Sequence, residues 1–202
     1  MELIEPTTTR LHLRQWRDAD REPFARLNAD PEVMEHFPAP LDRASSDAMV
    51  DRCASAIAEQ GWGLWAVEVR GSGAFIGFVG LAAPRFDAAF TPCVEIGWRL
   101  ARAAWGQGYA VEAARAALDT AFGPVGLAEV VSLTAIGNLR SRTVMERIGM
   151  SRDPADDFDH PSLPPGHRLS RHVLYRVRPG PRSPGSAGDE DGGAGDEPAP
   201  QG

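Results

Sequence analysis

Residues 94–113, VEIGWRLARAAWGQGYAVEA, constrain this chain more than any other stretch, because the pattern changes there from strand to helix through two glycines. Val94, Ile96, Trp98 and Leu100 alternate with Glu95, Gly97 and Arg99, the period of two that marks a strand. Gly106 and Gly108 follow two positions apart, and Ala110 continues the small-residue series. From Tyr109 to Leu118 most residues are good helix formers, and Gly123 and Pro124 stop the run.

A strand, a glycine-bearing turn and a helix N-terminus in succession make an anion site. The first helical turn carries N–H groups without intrahelical partners and the positive end of the macrodipole. Glycines remove the Cβ atoms that would hold a phosphate off the backbone. Spacing excludes two common forms of such a site. A dinucleotide fingerprint puts a third glycine at position 111, which is Val111. A P-loop needs a lysine, and all 21 basic residues of this chain are arginine.

With this pattern the chain resembles the GCN5-related N-acetyltransferases (GNAT), and within them the branch of ribosomal-protein N-terminal acetyltransferases. The family's pyrophosphate loop reads Gln/Arg-x-x-Gly-x-Gly/Ala. Gly108 and Ala110 fill its last two key positions, and Trp105 stands at the first. A second similar segment opens at Asn138 and closes at Gly149 and Met150; a third, HVLY at 172–175, is like the closing strand of this branch. The resemblance covers residues 8–178. It implies an α/β (α+β) fold: a mixed, mostly antiparallel sheet of about six or seven strands with a central splay, and helices on both faces. It also implies acetyl-CoA as co-substrate. The pantetheine arm would enter between strands at 92–100 and 129–134, with the pyrophosphate on the backbone of residues 106–110.

Length allows one domain with a proper core: 202 residues, 43% hydrophobic. We expect that domain over residues 1–178 and a tail over 179–202. Half of the tail is glycine or proline, and it has no aromatic or large aliphatic residue, so disorder is expected. The tail also carries −4 of the net charge of −7. The body then lacks the basic excess of a general nucleic-acid or anionic-membrane binder. Cys53 and Cys93 have no metal or redox spacing, and no metal is expected. The first residues do not read as a signal peptide and no apolar stretch is long enough to span a membrane, so the cytoplasm is the expected location.

Elsewhere the chain reads in order as follows. Residues 9–16 alternate as a first strand, and Asp18 can cap a helix running to about Asn28. Ser45 or Ser46 can cap a second helix, with Met49, Cys53 and Ile57 on one face and Gly61 at its end. Residues 63–69 and 74–81 form a hairpin about Gly71 and Gly73, and Gly77 and Gly80 permit a bulge or a close backbone approach. Residues 129–134 form a strand, and Asn138 opens a helix to about Ile148, with Val144 and Ile148 as its buried stripe. A short strand near Met150, a long loop over 153–168 and a final strand over 169–177 complete the domain.

Acetyl transfer to an amine needs a cofactor anchor, a polarised thioester carbonyl, a base for the acceptor ammonium and a donor for the leaving sulfur. Residues Trp105, Gly106, Gln107, Gly108, Tyr109 and Ala110 are the expected anchor. Backbone groups of Trp98, Arg99 and Leu100, on a bulged central strand, are expected to hold the carbonyl and pantetheine amides. Glu95 is the candidate base; the alternative is a glutamate that only structures the sheet. Many relatives place a tyrosine seven residues after the asparagine, where this chain has Met145. The branch this chain resembles often has a serine at the 141 position instead, which implies Ser141 as the candidate acid or sulfur ligand and Asn138 as a cofactor-contacting cap. Tyr175 is a second possible donor, and Phe37, Trp62 and Trp16 possible walls of the acceptor pocket. Three functions stay open: acetylation of a protein or peptide N-terminus, acetylation of a small amine, and acetyl-CoA sensing without turnover. A homodimer is possible on the resemblance alone.

Overall fold

The computed structural model describes residues 2–180; the disorder expected of the tail falls, from residue 181 on, outside the described residues. The elements are β1 (Leu11–Arg14), α1 (Asp18–Ala29), α2 (Arg43–Gln60), β2 (Leu64–Val69), β3 (Ala74–Ala82), β4 (Glu95–Leu100), α3 (Tyr109–Phe122), β5 (Val130–Ala135), α4 (Leu139–Arg147), β6 (Ser151–Arg152), β7 (Phe158–Asp159) and β8 (Arg171–Val177). One sheet runs β1-β2-β3-β4-β5-β8-β6, with β7 also paired to β8. Among the described residues only the β4–β5 pairing is parallel. The described residues form eight strands rather than six or seven: the short β6 was expected, and the two-residue β7 is the addition. β7 lies in the stretch expected to be loop. It has no alternation of its own and exists because Phe158 and Asp159 pair with His172 and Arg171.

Helices α1 and α2 pack on β3 and β2, α3 packs on β1, β3 and β4, and α4 packs on β5. At the centre of the first layer Phe24 meets Trp16 edge-on at 4.9 Å and Phe78 at 6.0 Å. Beside it lies a buried cation. The Arg14 guanidinium donates to both Asp20 oxygens, at 2.7 and 2.9 Å, and to Glu68 at 2.7 Å. α2 begins earlier than Ser45: Asp42 is the cap, accepting the Ser45 N–H at 2.7 Å. Ser46 instead lies buried and accepts from Asn28 Nδ2 at 2.9 Å.

The central strand β4 carries no bulge against β3, contrary to expectation; the bulge is in β3 beside Gly77, where glycine permits one. The β3–β4 register is unbroken from Ala82 opposite Glu95 to Gly77 opposite Leu100. The shift is between β2 and β3, where Ile76 is the extra residue. Gly77 follows it with φ 131°, and a Cβ there would fall 2.1 Å from the Arg99 carbonyl oxygen. Glycine thus lets β3 stay paired to β4 through its own kink.

Candidate active site

β4 and β5 share one paired position, Glu95 with Val131. The Val131 N–H donates to the Val94 carbonyl and the Ser132 Oγ to the Ile96 carbonyl, each at 2.9 Å. β5 then leaves β4 but pairs along its whole length with β8. Since Val94 and Ile96 face β5, strand alternation turns the N–H groups of Trp98 and Leu100 to the same edge, where β5 has gone. The Arg99 backbone is turned the other way, toward β3, so it does not share that edge. The gap belongs to a cavity of about 700 Å³, within the range of small-molecule sites.

The cradle at the start of α3 is built by two left-handed glycines. Gly106 has φ 74° and Gly108, the N-cap, has φ 79° with no side chain to cap the helix. The first helical bond is Glu112 N–H to the Gly108 carbonyl, so the N–H groups of Tyr109, Ala110 and Val111 have no intrahelical partner. All three residues line the cavity with both glycines. A Cβ on Gly106 would meet no protein atom within 4 Å, so the space before these donors is open. A pyrophosphate fits such a cradle. Trp105 lines the cavity, with the Arg102 guanidinium 4.9 Å and the Arg140 guanidinium 4.5 Å from its ring centroid. Gln107 does not line it. Its carbonyl accepts from Arg10 at 2.9 Å and its amide donates to Ala103 at 2.9 Å, which braces the loop from behind. Glu112 belongs to the same brace through Thr8 and Arg10.

Asn138 caps α4 and also holds Ser141, whose Oγ accepts from Asn138 Nδ2 at 3.0 Å. Both residues line the cavity, as does the buried Met145. Tyr175 is buried outside this lining, and its hydroxyl donates to Glu146 at 2.9 Å. Of the expected acceptor walls Phe37 lines the cavity, while Trp16 and Trp62 pack in the core. Val144 is half-buried against the cavity, leaving Ile148 as the buried residue of the expected pair.

Glu95 turns its carboxyl into the cavity. It is half-buried by area because that face is cavity surface, yet protein surrounds it, and loss of water pushes its pKa up to about 8. Among the described residues it has no ion-pair partner. Arg99 lies on the same face of β4, past Gly97. It is nine-tenths buried, donates to Asn28 Oδ1 at 2.6 Å and lies 4.1 Å from the Phe37 ring centroid. Burial brings its pKa down to about 10.

The acidic stretch after α4 does not reach the cavity. Asp153 caps a 3-10 turn, Asp156 pairs with Arg176, Asp157 with Arg152 and Asp159 with Arg171. Among the cavity residues to which the sequence assigned no role are His160 and His172, whose rings lie 4.9 Å apart, with Phe86 tilted against the first at 4.5 Å. They are twelve positions apart, and the β7–β8 pairing brings them together. Burial pushes both imidazoles down in pKa. No group of three or more metal-ligating side chains occurs among the described residues, and no described helix is long and apolar enough to cross a membrane. Neither cysteine lines the cavity; Cys53 is buried with its thiol pushed up to about 11.

A family profile described as an acetyltransferase (GNAT) domain matches residues 10–151. The chain is 35% identical over 146 residues to the uncharacterized protein YkkB of Bacillus subtilis, covering 71% of this chain and 83% of that one. It is 32% identical over 173 residues to the FsC-acetyl coenzyme A-N(2)-transacetylase of Aspergillus fumigatus, covering 80% and 72%. Among solved structures, an acetyltransferase from Agrobacterium tumefaciens superposes with a TM-score of 0.71 at 28% identity, covering 89% of this chain and 96% of that one. Two more share the fold alone. RimL, a ribosomal L7/L12 N-acetyltransferase in complex with coenzyme A, has a TM-score of 0.68 at 14% identity, covering 86% and 96%. Spermidine N-acetyltransferase from Vibrio cholerae has 0.66 at 19%, covering 85% and 96%.

Proposed function

Because the chain belongs to the GNAT acetyltransferases, and is thus an acyl-CoA-dependent N-acetyltransferase, we propose that it moves the acetyl group straight to a primary amine in a ternary complex, with Glu95 taking the amine proton and Ser141 meeting the leaving sulfur. Acetyl-CoA supplies the thioester. The cradle of residues 106–110 would hold its pyrophosphate, and the free N–H groups of Trp98 and Leu100 would hold the pantetheine arm and the carbonyl oxygen. The amine nitrogen bonds to the acetyl carbon as the carbon–sulfur bond breaks. The ammonium proton passes to the Glu95 carboxylate, directly or through water, and the thiolate is hydrogen-bonded by the Ser141 hydroxyl. The observation that carries this reading is the desolvated, ion-pair-free carboxyl of Glu95 in the same cavity as the glycine cradle and Ser141.

The acceptor we favour is a protein or peptide N-terminus. Resemblance to the ribosomal-protein branch supports it, and so does the charge of the cavity. Glu95 is its only carboxylate among the described residues, against Arg99, Arg140 and Arg147. A polyamine, with several positive charges, needs several carboxylates, and the aspartates after α4 lie outside the cavity lining. Likeness in fold to the spermidine enzyme is what keeps a small amine as the second reading. Thermal unfolding with acetyl-CoA at a hundred times its Kd should show about 2.7 kcal/mol of stabilisation, roughly a 5–10 °C rise. Thiol release with N-terminal peptides then tests turnover. Protection without release from any peptide or amine would favour the sensor reading.

A further inference from the structure

Two buried arginines stand on this sheet, and the fold treats them differently. Arg14, 2% exposed, has two carboxylates, Asp20 and Glu68. Arg99, 9% exposed, has none among the described residues. Its Nη1 meets the amide oxygen of Asn28, its buried Nε has no partner, and its Nη2 has none among the described residues. Phe37 at 4.1 Å and Phe78 at 5.5 Å give it aromatic faces, which hold a cation but bring no negative charge. Asn28 is itself fixed, fully buried and bonded to Ser46, so the guanidinium is held in place. A desolvated cation without an anion is a costly arrangement, and it persists where a ligand completes it.

Arg99 also lines the cavity, on the face of β4 that carries Glu95. Gly97 lies between them, and a Cβ there would meet nothing within 4 Å, so the floor between the two charges is clear. Four residues of strand separate their Cα atoms by about 13 Å. The strip therefore offers a proton acceptor at one end and an unpaired guanidinium at the other.

We propose that Arg99 anchors a carboxylate on the acceptor, so that the substrate is a primary amine bearing an acidic group, such as a peptide N-terminus with Asp or Glu among its first residues. This rests on Glu95 marking the amine position. The pairing needs a planar, two-pronged donor, which a guanidinium supplies to a carboxylate.

The test compares thiol release for tripeptide amides that differ only in Glu or Gln at the second position, and for 6-aminohexanoate against hexylamine. The two pairs separate a peptide acceptor from a free amino acid. In the wild-type protein the acidic member of at least one pair is expected to win by tenfold or more in kcat/KM. In Arg99→Met that ratio should fall to about one, and in Arg99→Lys only part of it should survive. Asn28→Asp guards against a folding defect: it hands the guanidinium an internal carboxylate, so Tm should rise while the preference disappears. Thermal shift with 6-aminohexanoate in the presence of coenzyme A reads the same anchor without turnover. Equal use of both members of each pair, with no Arg99-dependent thermal shift, overturns the proposal. Glu95→Gln tests the underlying reading separately, because it lowers turnover sharply without removing the Arg99-dependent shift.

Discussion

Asn138 and Ser141 exchange two hydrogen bonds: Nδ2 of the asparagine donates to the serine Oγ at 3.0 Å, and its Oδ1 accepts the serine N–H at 3.2 Å. An Oγ that accepts from Asn138 keeps its own proton for something else, and the cavity is what it faces. Asn138→Asp keeps the helix cap, since the two residues cap about equally well. It removes the donor, and the Ser141 proton turns to the new carboxylate. Stability is expected to change by under about 0.5 kcal/mol, while kcat falls about tenfold or more toward the Ser141→Ala value. Thermal unfolding and steady-state kinetics on both variants measure this; full kcat in Asn138→Asp would remove Ser141 from the chemistry.

Glu95 makes a prediction in pH. Its pKa lies at about 8 in the folded chain, raised by desolvation from an ordinary 4.5. Between those values the unfolded chain has lost a proton that the folded chain keeps. Stability therefore falls as pH rises through that window, by roughly 1.4 kcal/mol per unit, and levels off above it. Glu95→Gln has no proton to lose. Its Tm is expected to exceed that of the wild-type protein above pH 8 and to meet it below 4.5. Wild-type kcat/KM should climb through an apparent pKa near 8, and the variant should lose that limb. His36, His160 and His172 line the same cavity, but burial lowers each, so they are neutral across the upper part of the window.

Gly108→Ala places an L side chain at φ 79°, which costs about 1–2 kcal/mol. The new Cβ would sit 3.5 Å from Arg10 Nη2, an ordinary contact, so strain is the main loss. Gly149→Ala is the matched control: φ is 85° and the residue lies outside the cavity lining. Both variants should lose similar stability, but only Gly108→Ala should lose part of the Tm rise that acetyl-CoA gives.

The Arg14 cluster should limit acid stability. Its hydrogen bond from Arg14 holds the Glu68 carboxyl below its ordinary range. The folded-state pKa is depressed, so this contribution is present above pH 4.5 and fades as pH falls through the lower value. Asp20→Asn leaves a buried guanidinium short of one charge and is expected to cost about 3–5 kcal/mol. Denaturant unfolding at pH 7 checks it, and a loss under about 1 kcal/mol would mean that Glu68 alone suffices.

What could be read from the sequence followed from how local each feature is. The bounds of α3 were legible because Gly108 and the Gly123–Pro124 stop are chain neighbours of the helix they define. Asn138 as the cap of α4 was legible for the same reason, whereas Ser141 was singled out only through the family resemblance. The start of α2 was not: Asp42, Ser45 and Ser46 are all capping residues within five positions, and packing of Ser46 under Asn28 decides among them. Alternation correctly put Glu95 and Arg99 on one face but carried no information on depth, so the buried, unpaired state of Arg99 was hidden. Gln107 looked like a ligand residue because it lies between two glycines, and only the fold turns it toward Arg10. His160 and His172 meet through a two-residue strand that has no signature of its own.

The single rung between β4 and β5 divides the sheet into two leaves, joined at one edge and open along the other. A pantetheine arm laid along that opening, as proposed above, would do the work of an absent strand, its amide carbonyls accepting from the N–H row that β5 abandoned. Loading the protein is then a closing of the backbone ladder, and it should register where no side chain changes. The amide protons of Trp98 and Leu100 would exchange with solvent as edge-strand protons when the site is empty and as interior ones when it is filled. The two leaves would meanwhile pass from separately fluctuating units to one cooperative block.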